Sequence, residues 1–198
     1  MSDNKNSSLT IITGPMFAGK TEELLRQIHR CQYAQKGYLV FKPSLDNRYS
    51  SAWEIVSHNN KETKAIIVSK SEEIRNHLKP DTELIFLDEI QFFDDEIIGV
   101  LNDLANQGYQ VIGAGVDKNF RGEPFNDVMK SLLAMADYVH KLTAICQVCK
   151  KEASLSQRII DGRPARYDNP TVLVGGQETY EARCRKCHVC VKNEYGKK

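Results

Sequence analysis

Three groups of residues in this sequence have the types and spacing for chemistry. The first is Gly14-Pro15-Met16-Phe17-Ala18-Gly19-Lys20-Thr21, a Gly-x-x-x-x-Gly-Lys-Thr pattern that follows the β-type run Leu9 to Thr13. Between a strand and a helix this is a phosphate-binding loop. Gly14 and Gly19 let the backbone fold around an anion, and the N–H groups that open the next helix point at its oxygens. Lys20 adds a point charge near the β- and γ-phosphates, and the Thr21 hydroxyl suits Mg²⁺. On its own the pattern implies binding of a nucleoside triphosphate.

The second group is Asp88-Glu89, which ends the apolar run Leu84-Ile85-Phe86-Leu87. In phosphate-loop enzymes an Asp at the carboxyl end of a neighbouring apolar strand holds Mg²⁺, directly or through water, and Asp88 fits that position. Successive strand residues point to opposite faces, so both carboxylates reach one site only if the backbone turns there. Three readings of Glu89 stand side by side. It accepts a proton from an acceptor hydroxyl during phosphoryl transfer, it activates water in an ATPase, or it is solvated charge at a strand end.

The third group is Cys146-Gln147-Val148-Cys149 with Cys184-Arg185-Lys186-Cys187. Two Cys-x-x-Cys knuckles make a tetrahedral zinc signature, and four thiolates close the site, so the metal is structural. The spacer exceeds the roughly 15–20 residues of a common ribbon, and a long loop tied at its base is often functional. His188 and Cys190 lie near enough to replace Cys187 as the fourth ligand. Redox pairs are the competing reading. Cys31 lies on an apolar helix face and reads as packing.

Several elements must position these groups. A strand over 9–13 enters the phosphate loop and a helix over 22–36 leaves it, stopped by Gly37. A short strand covers 38–41, and 44–51 is turn-rich. A weak strand at 55–56 and a stronger one at 65–68 precede a short helix opening at Ser71, with acids in its first turn. The buried strand 84–89 is followed by an amphipathic helix 94–106 that stops at Gly108, then by a strand 109–116. A polar loop covers 117–124, and a helix 125–136. Strands alternating with helices, with continuous apolar runs, predict an α/β, mostly parallel, doubly wound sheet.

Composition narrows the class. The chain has 198 residues, with 41% hydrophobic and 27% charged, as in ordinary soluble proteins. Its net charge of +1 leaves no global footprint for nucleic acid or an acidic membrane. No apolar run approaches the ~20 residues that span a bilayer. The polar start, Met1 to Ser8, reads as a disordered tail rather than a secretory signal, so a cytoplasmic location with reduced thiols is expected. Composition shifts after Lys141. The expected division is a tail over 1–8, a nucleotide-binding domain over 9–142, a zinc-binding domain over 143–192 and a tail over 193–198.

Together these residues resemble the type II (cytosolic, zinc-containing) thymidine kinases. The resemblance runs through Gly14 to Thr21, Asp46 to Ser51, Asp88 to Phe93, Asp117 to Phe125, the two knuckles, and Val174-Gly175-Gly176 through Tyr180. It implies a P-loop NTPase-like sheet with a small zinc-ribbon-like C-terminal domain whose lasso loop closes over a nucleoside. It implies transfer of the ATP γ-phosphate to the 5′-hydroxyl of thymidine or deoxyuridine, giving dTMP in pyrimidine deoxynucleotide salvage. It makes Glu89 the base and puts Asp46, Arg48 and Gln91 with the phosphate loop and Asp88 on the nucleotide and metal side. Met16, Phe92, Phe120 and Phe125 then line the nucleoside pocket. Ser156 stands beside the base where a Thr is usual, the main chain of Thr171, Val172, Leu173, Val174 and Gly175 grips the base, and Tyr180 lies near the sugar. The family is typically tetrameric and inhibited by thymidine triphosphate. This chain departs from it at Ile90, where Gly is frequent. From the residues alone Phe92, Phe93 and Phe125 could equally be core, and Phe120, within a polar loop, is the better pocket candidate.

The alternative class is a nucleic-acid-handling P-loop ATPase with a zinc ribbon on the strand. Such a protein needs clustered Lys and Arg. Here 27 basic residues are balanced by 26 acidic ones.

Overall fold

The computed structural model describes residues 7–44, 54–56, 62–171 and 179–191. Asp46, Arg48, Val172, Leu173, Val174 and Gly175, with the tails before 7 and after 191, lie outside the described residues. The elements in order are β1 (Ser8–Thr13), α1 (Lys20–Tyr33), β2 (Gly37–Pro43), β3 (Glu54–Val56), β4 (Glu62–Lys64), β5 (Ile66–Val68) and a 3₁₀ helix (Ser71–His77). Then come β6 (Thr82–Leu87), a 3₁₀ turn (Ile90–Phe92), α2 (Ile97–Asn106), β7 (Gln110–Gly115), α3 (Asp127–Met135) and β8 (Tyr138–Lys141). The chain closes with β9 (Ala144–Ile145), β10 (Glu152–Ala153), β11 (Leu155–Ile160), β12 (Arg163–Pro164) and β13 (Thr179–Arg183).

Six strands form one parallel sheet in the order β5-β2-β6-β7-β1-β8. Side-chain alternation divides its core between two faces. Leu9, Ile11, Ile85, Leu87 and Val111 meet α2, α3 and the first 3₁₀ helix. Ile12, Val40, Phe86 and Ile112 meet Leu24, Leu25 and Ile28 of α1. Each side chain so buried contributes about 1.5–3 kcal/mol relative to leaving it in water. The expected doubly wound α/β architecture is therefore present. The remaining strands form an antiparallel hairpin, β3-β4, a pair, β10-β9, and an antiparallel sheet, β12-β11-β13. No helix among the described residues is long and apolar enough to cross a membrane.

Local chemistry moved several boundaries. α1 ends at Tyr33, before Gly37. Its close is made by Gln35 at φ 54°, with the Gln35 N–H on the Gln32 carbonyl and the Lys36 N–H on the Cys31 carbonyl. Gly37 instead opens β2, and a Cβ there would lie 1.9 Å from the Asp81 carbonyl oxygen. Close approach, not helix termination, requires that glycine. α2 starts at Ile97 rather than Asp94, because the turn before it closes with three-residue bonds, the Ile97 N–H on the Asp94 carbonyl at 3.2 Å and the Ile98 N–H on the Asp95 carbonyl at 3.3 Å. The Asp94 carboxylate accepts from the Ser71 main-chain N–H at 3.1 Å. The helix expected at Ser71 is 3₁₀. Strand β6 stops at Leu87, so Asp88 and Glu89 lie just beyond it. β8 was not foreseen: its residues are all exposed, leaving no apolar pattern to read, yet it pairs with β1 along Thr10 to Thr13.

Candidate active site

The loop between β1 and α1 has the backbone its sequence requires. Gly14 sits at φ 142°, and a Cβ on it would lie 2.4 Å from the Leu142 carbonyl oxygen. Gly19 caps α1 in the left-handed conformation at φ 80° and ψ 24°. The open first-turn N–H groups of such a helix are donors for an anion. Phe17, at the outer tip, is also left-handed and half exposed. At the loop's entry the buried Thr13 hydroxyl donates to the Gly115 carbonyl at 2.8 Å, fastening β1 to β7.

Lys20 donates to the Pro15 carbonyl at 2.8 Å. Burial lowers its pKa from the usual lysine value, opposed by the carboxylates of Glu89, Asp88, Asp117 and Glu22. Asp88 and Glu89 are two of the four carboxylates whose charge offsets that burial, and the backbone turns directly after Asp88. The turn is visible: Glu89 has φ 54° and ψ 43°. A non-glycine residue held so costs of order 1–3 kcal/mol and persists only where its surroundings enforce it. The enforcement is local. The Glu89 N–H donates to the Asp88 carboxylate at 3.1 Å, and the Phe92 N–H donates to the Glu89 carbonyl at 3.0 Å. The Gln91 side-chain amide donates to the Glu89 carboxylate.

Gln91 is buried and engaged at both ends. Its Oε1 accepts from the Val116 N–H at 3.2 Å, while its main-chain carbonyl accepts from Asn126 Nδ2 at 2.8 Å. Asn126 in turn caps α3 through the Met129 N–H. Ile90, where the resembling family often has Gly, is fully buried against Gly113 and Gly115 of β7, which have no side chains to displace it. Two glycines across the sheet explain why the larger residue fits.

The remaining described pocket candidates occupy distinct settings. Phe92 and Phe125 are half-buried and meet edge to face at 5.6 Å between ring centroids. Ser156, on β11, accepts from the Met16 N–H at 2.9 Å and so reaches the interior of the phosphate loop. Phe120 is only 2% exposed, with the Arg121 and Arg158 guanidinium carbons 5.0 and 5.2 Å from its ring centroid. Thr171 accepts at its hydroxyl from Arg121 at 3.0 Å. Tyr180 lies on β13 opposite Arg158 of β11.

The ligand atoms of Cys146, Cys149, Cys184 and Cys187 all lie within 4.8 Å of one another, and the Cys149 and Cys184 sulfurs are 3.6 Å apart. Four sulfurs about 2.3 Å from a zinc ion would stand about 3.8 Å apart, so this donor set fits a structural zinc. Burial pushes the Cys146 thiol up, but N–H groups of Cys149, Cys184 and Val148 outweigh it and bring it down to about 6. A sulfur cradled by main-chain donors is prepared to be a thiolate, the form that binds metal. Of the two rival ligands, His188 is engaged through Nε2 with the Phe120 carbonyl at 2.8 Å, and Cys190 is outside the four-sulfur group. Ala18 of the phosphate loop packs against the cysteine cluster.

A sequence model of the thymidine kinase family matches residues 7–188, which takes in the phosphate loop, both carboxylates and both knuckles. The chain belongs to the thymidine kinase family. Among solved structures, domain III of the replication initiation protein DnaA from Thermotoga maritima is similar at 18% identity, over 70% of this chain and 56% of that one, with a TM-score of 0.43. The Pif1 helicase from Candida albicans is similar at 16% identity, over 72% of this chain and 40% of that one, with a TM-score of 0.41. The chain therefore spans about half the length of these two proteins or less, and likenesses this slight say nothing of its activity.

Sequence reasoning gave no individual role to two residues of the candidate site. Asp117 is buried at the end of β7, with Lys118 and Lys141 at 2.6 and 2.9 Å from one carboxylate oxygen. Its other oxygen is buried without a hydrogen-bond partner among the described residues. Lys141 arrives on the unforeseen strand β8. Arg121, from the same loop, binds the chain at 167–171. Their only signal in sequence was their place in the Asp117–Phe125 stretch.

Proposed function

We propose that this kinase transfers the γ-phosphate of ATP to the 5′-hydroxyl of thymidine, giving dTMP in deoxynucleotide salvage, and accepts deoxyuridine less efficiently. The observation that carries the proposal is the turned backbone at Glu89, just beyond the end of β6, with its carboxylate held by the Gln91 amide and its charge acting on the buried Lys20 of the phosphate loop. An ATPase needs no pocket for an acceptor. In this reading the acceptor lies between the phosphate loop and β11, which meet where the Ser156 hydroxyl accepts from the Met16 N–H.

In the proposed reaction the phosphate loop, Gly14 to Thr21, holds the triphosphate through main-chain N–H groups, and Lys20 lies at the β- and γ-oxygens. Thr21 and Asp88 would hold Mg²⁺, which supplies charge neutralisation on those oxygens. Glu89 takes the proton of the 5′-hydroxyl as its oxygen bonds to the γ-phosphorus and the bond to the ADP oxygen breaks. Met16, Phe92, Phe120, Phe125 and Ser156 enclose the base, the segment 171–175 grips its edge, and Tyr180 supports the sugar. Asp46, Arg48 and Gln91 complete the nucleotide side, Gln91 by holding Glu89. One methyl group separates thymine from uracil and is worth about 1–3 kcal/mol in a fitted pocket, hence the preference without exclusion.

The same reading divides the chain into a nucleotide-binding unit over 9–142 and a zinc-binding unit over 143–192. It also makes the enzyme cytoplasmic and homotetrameric, with thymidine triphosphate as end-product inhibitor and no nucleic-acid partner. The test is ATP consumption by the purified protein with a panel of nucleosides. Turnover should require thymidine or deoxyuridine, and ATP hydrolysis equal with and without them would defeat the kinase assignment.

A further inference from the structure

We infer that Arg121 sets the position of the chain at 167–171 relative to the phosphate loop, and through it the grip on the acceptor. The inference rests on the reading that the segment beginning at Thr171 holds the nucleoside base.

The loop that carries Arg121 is closed on itself. The Phe125 N–H donates to the Asp117 carbonyl at 3.0 Å, and Lys118 pairs with Pro124. Inside, the buried Asn119 side chain accepts from the Arg121 N–H at 2.9 Å and the Glu123 N–H at 3.3 Å. Gly122 turns the chain at φ 80°. A loop so cross-linked presents its side chains from a fixed frame. That frame is the sheet of the phosphate loop itself, because the loop leaves β7, and Thr13 of β1 donates to Gly115 of β7.

From this frame the Arg121 guanidinium makes three hydrogen bonds to one short stretch. Nε donates to the Tyr167 carbonyl at 2.7 Å, Nη2 to the Asn169 carbonyl at 2.7 Å and Nη1 to the Thr171 hydroxyl at 3.0 Å. The guanidinium carbon also stands 5.0 Å from the ring centroids of both Phe120 and Tyr167. The chain at 165–171 belongs to no named strand. Main-chain bonds hold its first part, the Ala165 N–H on the Arg158 carbonyl at 2.9 Å and the Tyr167 N–H on the Val191 carbonyl at 2.8 Å. Arg158 Nη1 on the Pro170 carbonyl at 2.6 Å and the Arg121 fork hold the part nearest Thr171. Only a planar guanidinium can address three acceptors at once in set directions; an ammonium group cannot reproduce the fork. Phosphoryl transfer depends on placing acceptor and γ-phosphate within a small tolerance, and Arg121 spans the two parts of the protein that must agree.

The test uses purified full-length R121A and R121K, with initial rates measured against thymidine at saturating ATP and against ATP at saturating thymidine. Amide hydrogen exchange at 167–171 is measured alongside. R121A should raise KM for thymidine by about tenfold, the equivalent of one lost charge-assisted hydrogen bond, with KM for ATP within about twofold. Exchange at 167–171 should accelerate, and R121K, folded and charged, should follow R121A. Should R121A fail to fold, R121K alone decides. A folded variant with both KM values unmoved, or with exchange at 167–171 unchanged, overturns the inference. Wild-type turnover that ignores thymidine removes the proposed acceptor but leaves the tie to be judged by exchange.

Discussion

The Ser156 hydroxyl accepts a hydrogen bond from the Met16 main-chain N–H at 2.9 Å, joining residues 140 positions apart. It fastens β11 to the interior of the phosphate loop, on the side where Ala18 packs against the cysteine cluster. The C-terminal part of the chain thus meets the phosphate loop at both Met16 and Ala18.

Ser156→Ala should therefore act on the donor nucleotide as well as on the acceptor. Loss of one hydrogen bond of about 1 kcal/mol corresponds to roughly a fivefold rise in KM for ATP. Ser156→Thr, which keeps the hydroxyl, should restore KM for ATP to within about twofold of wild type. Initial-rate measurements on both variants decide it, and an unchanged KM for ATP in Ser156→Ala would show that the contact does not hold the loop.

The parallel sheet was legible because its central strands are continuous apolar runs and its loop carries glycines at fixed places. Leu84 to Leu87 and Val111 to Ala114 could hardly be anything else. Legibility failed where position is set by contacts distant in sequence. β8 has four exposed residues and is held by pairing with β1, so no periodicity marks it. β9, β10 and β13 gather Ala144, Ala153 and Ala182 around the four cysteines, so only the cysteine spacing announced this part of the chain. The phosphate loop, Asp88 and Glu89 were readable one by one. The αL turn that aims Glu89, and the pairs Ser156 with Met16 and Arg121 with Thr171, belong to the folded chain alone.

Asp117 should make part of the protein's stability depend on pH. Burial raises its pKa, but hydrogen bonds from Lys118 and Lys141 more than offset this and hold it below the ordinary 3.8. A carboxylate whose folded pKa is depressed stabilises the fold above its unfolded value, and that contribution is lost as pH falls through the folded pKa. Asp117→Asn should cost about 1–2 kcal/mol near neutral pH, roughly one charge-assisted hydrogen bond. The gap between variant and wild type in denaturant unfolding should narrow below pH 3.8. A gap that stays constant through the acid range would contradict the pairing.

Metal removal should be felt locally before it is felt globally. The small cluster of Ala144, Ala153 and Ala182 around the cysteines offers little apolar area, so β9 to β13 lack a core of their own. Chelation should abolish amide protection over 150–160 and 179–183, while Ile11, Ile85 and Val111 in the central sheet remain protected. Protection unchanged over those strands after zinc has been removed, as verified by metal analysis, would mean that the cysteines do not organise them.

Glu89 is the residue on which the chemistry turns. Its backbone strain, its hydrogen bond from Gln91 and its action on Lys20 make it a fixed carboxylate beside the phosphate loop. Glu89→Gln keeps the side chain's size and removes its ability to take a proton. A positioned general base is worth about 10²–10⁴ in rate, so turnover should fall by that factor. Because no part of the phosphate loop is altered, affinity for ATP should stay within about threefold, less than 1 kcal/mol. The two measurements separate a lost base from a collapsed site. Near-normal turnover in folded Glu89→Gln protein would require that another group take the proton, and Asp88, hydrogen-bonded to the Glu89 N–H, would be the first to examine.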